Sequence, residues 1–460
     1  MGVVLLLMAV GVLVMSVGAS KCIDGEREVL LEFKRSIVDE EDNLGSWGNH
    51  REDCCSGWAG VGCDNLTGHV IEIDLFGMDL LAKGGRFTSS LPFVELRYLK
   101  YLNLNGNVNL LANQSISSLF GNNGSMVSLQ YLGLFRTGIG GTIPENIGNI
   151  MPSLTDLFIV DNRLEGTIPE GLGNMAFLAH LDLSGNLLRG QIPKNFGENM
   201  TSLRHLNLGN NRLEGTIPRG LGNMALLTQL DISENLLGGL IPKSFGENMT
   251  GLTYLDLGYN RLEGTIPETF GKMVHLTLLS LYMNRLEGHI PEALGNMPAL
   301  KELHLWYNKL EGEIPKFIWN ICTLKHLRME SNRLNGSLVI STLCPNHPLR
   351  ELKLDSNRLT GSFPNISMFP SMVELSVGGN LLDGVISEHH FATLSKLRTL
   401  NLSSSNFTFN LTSAWLPPFR LEMINLMSCN LGPEFPNWIR TQVNYKWLDI
   451  VKYPTPERFG

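Results

Sequence analysis

The chain has 460 residues with 36 basic and 44 acidic side chains, a formal net charge of −8. This charge argues against a nucleic-acid partner, which would need a basic face or groove, and a composition with 43% hydrophobic residues and 48 glycines excludes a disordered chain or a coiled coil. The length alone suggests two or three domains, but a repeat that fills most of the chain overrules that expectation.

The N-terminus carries an apolar run at residues 2–15, followed by small residues. The run is shorter than the roughly 20 residues that a membrane span needs, and it is typical of a signal peptide. We therefore predict a signal peptide at residues 1–20, cleaved near Ala19 or Ser20, with a signal anchor as the alternative. No other apolar stretch of spanning length occurs in residues 21–460.

Seven cysteines are present, and four of them lie within the first 63 residues. A small segment with too little core is often held by disulfides in an oxidising compartment. A zinc site is the alternative, but adjacent cysteines lack the usual spacing of zinc ligands. We therefore predict disulfides and no metal. The cysteines are Cys22, Cys54, Cys55, Cys63, Cys322, Cys344 and Cys429.

Ten Asn-x-Ser/Thr sequons occur along the chain. One such motif carries little weight, but ten in a secreted chain predict a glycoprotein. The acceptor residues are Asn65, Asn113, Asn123, Asn199, Asn248, Asn335, Asn365, Asn401, Asn406 and Asn410.

We interpret residues 21–68 as an N-terminal cap. Leu30, Phe33 and Ile37 recur at helical spacing behind Asp24, which can serve as the helix N-cap. Such a helix would cover the exposed edge of the first repeat, as the terminal units of a repeat protein must.

From residue 69 to residue 453 one register repeats about sixteen times, and the last repeat is partial. The unit reads Leu-x-Leu-x-x-Asn-x-Leu, and Asn fills eleven of its sixteen slots. After the first two steps the slots lie 23 to 25 residues apart. This pattern predicts an α/β fold, a right-handed leucine-rich-repeat solenoid with a concave parallel β-sheet and a helical, disulfide-bonded cap. Residues 454–460 leave the pattern as an irregular tail.

Each position of the repeat has a physical reason. Leu-x-Leu forms a short strand with its leucines inside and its x residues on the outer face. The chain then bends, and a stacked row of Asn amides can donate to and accept from the bent backbone. Most turns continue as Leu-x-Gly-x-Ile-Pro, as at residues 164–169. Glycine permits the bend and proline holds an extended chain that needs no N–H partner.

This Leu-x-Gly-x-Ile-Pro insertion, followed by Leu-Gly-Asn, resembles the plant-specific class of extracellular leucine-rich repeats. The stretch from Cys22 to Cys63, with Trp47 and Trp58, is similar to the N-terminal cap of plant receptor-like proteins, receptor-like kinases and polygalacturonase-inhibiting proteins. The chain leaves the repeat pattern after Tyr453 without a closing cysteine pair or a membrane helix. We interpret it as a C-terminally truncated member of the disease-resistance type of receptor-like protein.

The resemblance also implies a disulfide pattern. In the family the first cysteine pairs with the first member of the doublet, and the second member pairs with the last cysteine. A further pair occurs in the disease-resistance type of receptor-like protein. The implied bonds are Cys22–Cys54, Cys55–Cys63 and Cys322–Cys344.

No enzyme motif is present. The sequence lacks His-Glu-x-x-His, Gly-x-Ser-x-Gly and a Walker loop, and His389-His390 has no partner at a metal-ligand spacing. We expect no catalysis and no cofactor.

Four adjacent turns carry unusual x residues on the predicted concave face. Exposed aromatic side chains together with an arginine are typical of a binding hot spot. The alternative is scattered surface aromatics that only stack laterally. The predicted ligand-binding residues are Tyr254, Tyr259, Tyr282, His304, Trp306, Tyr307, Arg328 and Glu330. Acidic residues on the same face favour a neutral or basic ligand, and a glycan on Asn401 would hinder partners nearby.

Two functions are compatible with these features. The resemblance implies the ectodomain of a plant receptor-like protein, secreted or at the cell surface, on the plasma membrane if a longer form carries the family's transmembrane helix. It would bind a peptide or protein in defence or developmental signalling and act through a partner receptor-like kinase. The alternative is a secreted inhibitor of a cell-wall-degrading hydrolase, like the polygalacturonase inhibitors. Those proteins have fewer repeats and a completed C-terminal cap, so the receptor is favoured. The sequence identifies neither the ligand nor the co-receptor.

Overall fold

The computed structural model describes most of the chain, namely residues 21–48, 53–87, 90–119, 126–432 and 435–450. The predicted signal peptide, the sequon at Asn123 and the predicted tail lie outside the described residues. Within these ranges, no helix combines the length and the apolar character that crossing a bilayer requires. The chain divides into two compact units, Met1–Ile139 with Asn149–Ser153, and Gly140–Gly148 with Leu154–Gly460.

The helix Asp24–Ser36 forms the cap of the first unit. Leu30 and Phe33 are fully buried, as the helical spacing predicts. The start of the helix differs from the prediction, because Ile23 is the N-cap and makes no side-chain hydrogen bond. Asp24 is instead the first helical residue, where its negative charge still suits the positive end of the helix dipole.

Two disulfides connect segments of the cap. Cys22 is bonded to Cys54, and Cys55 is bonded to Cys63. The strand Val61–Cys63 pairs antiparallel with the first long strand, Val70–Asp74. It therefore covers a sheet edge whose N–H and C=O groups would otherwise be unpaired.

The Leu-x-Leu segments form a parallel sheet in each unit. In the first unit Val70–Asp74 pairs with Tyr101–Asn103, which pairs with Tyr131–Gly133. In the second unit each strand pairs with the next in chain order. These strands are Asp156–Phe158, His180–Asp182, His205–Asn207, Gln229–Asp231, Tyr254–Asp256, Leu278–Ser280, Glu302–His304, His326–Arg328, Glu351–Lys353, Glu374–Ser376, Thr399–Asn401, Met423–Asn425 and Trp447–Asp449.

The Leu-x-Gly-x-Ile-Pro segments form further parallel strands, whereas the sequence predicted only a bend and extended chain there. Gly166 lies in this segment with φ of 78°, and a Cβ would lie 2.8 Å from Thr142 Cγ2. Neighbouring turns therefore approach closely enough for backbone pairing. The strands are Gly140–Thr142 with Arg163–Glu165; Arg189–Gln191, Arg212–Thr216, Leu236–Leu240, Arg261–Gly264, Arg285–His289, Lys309–Gly312 and Arg333–Leu334; and Thr360–Ser362, Leu381–Ile386 and Asn406–Phe409.

Short helices complete most turns, and one further antiparallel pair joins Ile37–Val38 to Leu81–Ala82. The remaining α-helices are Cys54–Gly57, Ile116–Leu119, Ile147–Ile150, Ser244–Asn248 and Asn437–Arg440. The 3-10 helices are Lys83–Gly85, Pro92–Glu95, Glu170–Asn174, Arg219–Asn223, Glu268–Lys272, Glu292–Asn296, Lys316–Asn320 and Glu388–Phe391. In the second unit a third disulfide, Cys322–Cys344, ties two successive turns together, while Cys429 is free and buried.

Asn260 illustrates the asparagine slot. Its Nδ2 donates to the carbonyl oxygens of Ile232, Leu257 and Gly258 at 3.0, 3.3 and 3.1 Å. Its Oδ1 accepts from the backbone N–H of Leu237 at 3.0 Å. One amide thus bridges two turns and satisfies buried backbone groups. The same four-bond pattern recurs at Asn186, Asn211, Asn235, Asn284, Asn308, Asn332, Asn357 and Asn380.

Other residues fill this slot less completely. The Thr137 hydroxyl donates to the Leu134 carbonyl at 3.1 Å, and the Cys429 thiol donates to the Leu402 carbonyl at 3.2 Å. The hydroxyl of Ser405 is buried and has no hydrogen-bond partner in the described part of the chain. The predicted fold class, a leucine-rich-repeat solenoid with a parallel sheet and a disulfide-bonded cap, is confirmed.

Candidate functional site

The x residues of the long sheet in the second unit share one surface, which we call the strand face. It comprises the outward side chains of each strand and of the residues that lead to the asparagine slot. Four adjacent turns on this face carry the predicted ligand-binding residues, and we call them the aromatic turns. Their strands are Tyr254–Asp256, Leu278–Ser280, Glu302–His304 and His326–Arg328.

Trp306 lies at the centre of a continuous stack. The Tyr282 ring of the preceding turn is parallel to it, with centroids 4.6 Å apart and planes 10° apart. The Arg328 guanidinium of the following turn lies 4.7 Å from the indole centroid. Tyr307 meets the indole edge-on at 5.6 Å. Such contacts contribute about 0.5–1.5 kcal/mol each, so the stack is ordered before any ligand arrives.

A glycine on the preceding turn makes room for this stack. Gly258 occupies the position equivalent to Tyr282 and Trp306, and a Cβ there would lie 2.2 Å from Tyr282 Cε1. The Tyr282 ring therefore packs directly against backbone on one side and against Trp306 on the other.

Carboxylates hold the arginine of the stack in place. Arg328 Nε donates to Glu330 Oε1 at 3.0 Å and lies 3.7 Å from Glu351 Oε1. Glu330 is only 6% exposed, and its second oxygen has no hydrogen-bond partner among the described residues. Burial raises the pKa of Glu330, although the bond from Arg328 opposes this. The ion pair therefore leaves one acceptor of Glu330 unsatisfied.

The other predicted residues lie on the same turns but outside the stack. Tyr254 is half-buried, and burial together with Asp231 and Asp256 raises its pKa above the usual range. Tyr259 is 52% exposed, and within the described ranges its ring contacts no other ring. His304 Nε2 lies 3.7 Å from Glu302, and burial lowers the pKa of His304.

The acidic side chains of the strand face fall into two groups. Glu351 and Glu374 both contact Lys353, at 3.1 and 3.0 Å. Asp256, in contrast, has no basic side chain within ion-pair distance in the part of the chain that is described. Burial raises the pKa of Asp256 to about 6, and the neighbouring Asp231 adds to this rise. Asp256, on the turn that precedes the stack, therefore has no ion-pair partner among the described residues.

The slot before the asparagine has left-handed backbone in nearly every turn of the second unit. Tyr259, Met283 and Tyr307 have φ of 50°, 49° and 52° there. A bulky residue in this region is strained. Elsewhere the slot holds mainly small or short polar residues: Asp161, Gly185, Asn210, Glu234, Ser331, Ser356, Gly379, Ser404 and Ser428. The sequence analysis did not identify this left-handed backbone, although the preference for small or short polar residues at this position is visible in the sequence.

Sequence reasoning also missed two groups of x residues. Tyr101 and Tyr131 of the first unit stack with centroids 4.3 Å apart. In the second unit His180 Nδ1 lies 2.5 Å from an Asp156 oxygen, and the Asp182 carboxylate, 3.8 Å from His205 Nε2, raises the pKa of His205. Comparing the x positions of every turn, rather than the richest turns alone, would have found them.

Few described residues could hold a metal. Within the described ranges, one group of potential ligands lies close enough together, the sulfurs of Cys22, Cys54 and Cys55. All three sulfurs are in disulfides, so this group offers no thiolate.

The described sequon asparagines differ in one respect. All are exposed except Asn401, which is half-buried in a strand. Its Nδ2 donates to the Ser376 hydroxyl at 2.9 Å, and its Oδ1 accepts from the Ser403 hydroxyl at 2.7 Å. Glycosylation of these residues stays a prediction.

Comparisons with known proteins agree with this architecture. A family model described as a leucine-rich repeat region matches residues 177–383, and a leucine-rich repeat N-terminal domain matches residues 23–64. The receptor-like protein EIX1 of Solanum lycopersicum is 35% identical over 175 residues. That match covers 36% of this chain and 16% of the tomato protein, so the chain spans far less than the length of this relative.

Solved structures show the same fold. The crystal structure of a TDR receptor superposes with a TM-score of 0.68 and 26% identity, covering 79% of this chain and 65% of that one. The plant peptide hormone receptor RGFR1, in complex with RGF2, gives a TM-score of 0.57 and 25% identity, covering 78% of this chain and 75% of that one.

Proposed function

Since leucine-rich-repeat models match residues 23–64, 153–175 and 177–383 and the chain is similar to plant receptor-like proteins, we propose that it is an extracellular ligand-recognition protein of the leucine-rich-repeat family without catalytic activity. Its place is outside the cell or at the cell surface. Its ligand is a peptide or a protein segment that lies across the aromatic turns, in defence or developmental signalling.

The stack centred on Trp306 carries this proposal. A tryptophan with a tyrosine on one side and an arginine on the other has the composition of an energetic hot spot, and the hydrogen bond from Arg328 to Glu330 fixes its geometry. A fixed aromatic surface binds with little loss of side-chain entropy.

The same turns keep features that weaken the fold. Tyr259 and Tyr307 have left-handed backbone, Asp256 is an unneutralised half-buried carboxylate, and one oxygen of Glu330 is buried without a partner. Residues that are unfavourable for the stability of the fold are expected at functional sites. Their presence on the aromatic turns supports a binding role there.

The comparisons support a peptide as the ligand. RGFR1, which shares the fold, is a plant peptide hormone receptor solved in complex with RGF2. We propose a similar class of ligand here, with signalling through a partner receptor-like kinase at the cell surface. No observation on the strand face favours the alternative of a hydrolase inhibitor.

The test uses phage-displayed random peptides as the probe. Peptides are selected on the purified protein and measured against a variant with Tyr282→Ala, Trp306→Ala and Tyr307→Ala. We expect binding to fall by at least about 2 kcal/mol, because truncating a hot spot has this effect. The melting temperature should fall by only a few degrees, because the lost ring contacts contribute about 0.5–1.5 kcal/mol each and lie at the surface.

The matched control changes x residues on turns without aromatics, with Ser184→Ala, Asn207→Ala and Ser233→Ala. This variant should bind the selected peptides as the wild type does. Undiminished binding by the aromatic triple variant would reject the aromatic turns as the site.

A further inference from the structure

A cavity of about 270 Å³ opens on the strand face next to the aromatic turns. Its polar wall contains Glu330, Lys353, Asp355 and Glu374, together with hydroxyl and amide groups of the next strands. Its other wall contains Met423 and Trp447, which are 47% and 59% exposed. The cavity thus has an acidic end and an apolar end.

The charges of the polar wall do not balance. The Lys353 ammonium is held between Glu351 and Glu374, at 3.1 and 3.0 Å, and Arg328 is engaged with Glu330. Asp355 has no basic side chain within ion-pair distance among the residues that the structure describes. Among the residues that line the cavity, one cation, Lys353, therefore faces three carboxylates, those of Glu330, Asp355 and Glu374.

Glu330 adds an independent sign of an incomplete site. It lines the cavity, it is 94% buried, since 6% of it is exposed, and its Oε2 lacks a hydrogen-bond donor among the described residues. A buried acceptor without a donor costs free energy unless a ligand supplies one. Its other oxygen accepts from Arg328 of the stack, so the cavity adjoins the surface proposed for the ligand.

We propose that this cavity binds the side chain of an arginine or lysine residue of the ligand; this rests on the proposed function and names the chemistry of one subsite. Such a side chain has an apolar stem and a cationic head with several N–H donors. The head lies at the acidic end, next to Asp355 and Glu330, and the stem runs along the cavity toward Met423 and Trp447.

The proposal requires that Asn401 carries no glycan. Asn401 lines the cavity, and a glycan on its Nδ2 would fill the space next to Ser376. The exposed sequons at Asn406 and Asn410 serve as internal references. Enzymatic deglycosylation in heavy-oxygen water, followed by mass spectrometry, should label those two residues and leave Asn401 unlabelled. A glycan on Asn401 would overturn the proposal.

The binding test uses blocked tripeptides as probes, acetyl-Gly-X-Gly-amide with X as arginine, lysine or citrulline. Citrulline keeps the shape of arginine but has no charge. By calorimetry or NMR titration, the arginine and lysine peptides should bind about tenfold more tightly than the citrulline peptide, since hydrogen bonds to charged groups contribute about 1.5–3 kcal/mol. Equal binding of all three, or no saturable binding, would overturn the proposal.

Two variants of the cavity sharpen the test. Asp355→Asn should weaken the arginine peptide about tenfold, and Trp447→Ala should weaken arginine and citrulline peptides by the same factor, because it removes only the apolar wall. Asp231→Asn removes a carboxylate of the same face outside the cavity and should change neither. An equal loss with Asp231→Asn would show a general charge effect and reject the site.

The outcomes separate this inference from the proposed function. If phage-selected peptides need Trp306 but bind Asp355→Asn normally, the proposed function stands and the cavity proposal is wrong. If the tripeptides need Asp355 but the selected peptides ignore Trp306, the cavity is supported and the aromatic turns are rejected.

Discussion

The aromatic turns and the turns just before them share the same buried leucines and slot asparagines but differ in the side chains of the strand face. We call the turns with strands His180–Asp182, His205–Asn207 and Gln229–Asp231 the plain turns. In both regions the inward leucines are fully buried and the slot asparagine bridges neighbouring turns. On the strand face, the plain turns place Gly209 and Ser233 where the aromatic turns place Tyr282 and Trp306.

The two regions also differ in how well their local rules are satisfied. The plain turns put Gly185, Asn210 and Glu234 in the left-handed slot. The aromatic turns put Tyr259 and Tyr307 in that slot. Since the skeleton is equally sound in both, fold stability does not explain these choices. The difference shows that the side chains of the strand face can vary while the buried core stays the same.

The largest expected effect concerns the shared skeleton. Asn211→Ala in a plain turn and Asn284→Ala in an aromatic turn each remove four hydrogen bonds. Both should lower the free energy of unfolding by about 3 kcal/mol, because buried backbone groups lose their partners. Denaturant titration measures both losses. Clearly unequal losses would show that the two skeletons are not equivalent.

A smaller expected effect is a difference between the two regions in how their stability depends on pH. The pKa of Asp256 in the folded state is about 6, above its ordinary value of 3.8. Its stabilising contribution is therefore complete below pH 3.8 and is lost as the pH rises through 6. Asp256→Asn removes this loss and should stabilise the protein at pH 7 by about 2 kcal/mol, with no gain at low pH. Thermal unfolding across this pH range tests it.

The control for this prediction lies in a plain turn. Burial works against the charge of Asp182, but hydrogen bonds from His205 and Ser184 lower its pKa overall. Its contribution is present above its ordinary pKa and is lost as the pH falls through the lowered value. Asp182→Asn should therefore destabilise the protein at pH 7. If Asp256→Asn and Asp182→Asn changed the stability at pH 7 in the same direction, the proposed difference between the aromatic and the plain turns would be wrong.

The smallest effect concerns the left-handed slot. Tyr259→Asn should stabilise the protein by about 1 kcal/mol, because asparagine tolerates this backbone better than tyrosine. The reciprocal change Asn210→Tyr, at the equivalent position of a plain turn, should destabilise it by a similar amount. Unchanged unfolding midpoints in both variants would show that the slot carries no strain.

The core of this fold could be predicted from sequence, and the reason is its strict period. Leu181, Leu183 and Asn186 each occupy one position of a register that repeats along the chain, so their burial follows from counting. The cysteine pairs likewise followed from a family motif. The second set of strands could not be predicted, because backbone pairing at Gly166 depends on how closely neighbouring turns approach.

The candidate site was predictable in location but not in geometry. The x positions put aromatic residues on one face. The stack on Trp306, however, also requires that Gly258, on another turn, has no Cβ. The cavity at Asp355 was not foreseen, because its two walls come from strands far apart in the sequence. Such features depend on packing between turns rather than on the pattern within one turn.

The most direct test of a face selected for binding is Trp306→Ala, with affinity for the phage-selected peptides and unfolding both measured on the same preparation. We expect the affinity to fall by about thirtyfold, which corresponds to about 2 kcal/mol, while the unfolding midpoint stays near that of the wild type. An unchanged affinity, or a loss of affinity explained by unfolding of the protein, would contradict the account.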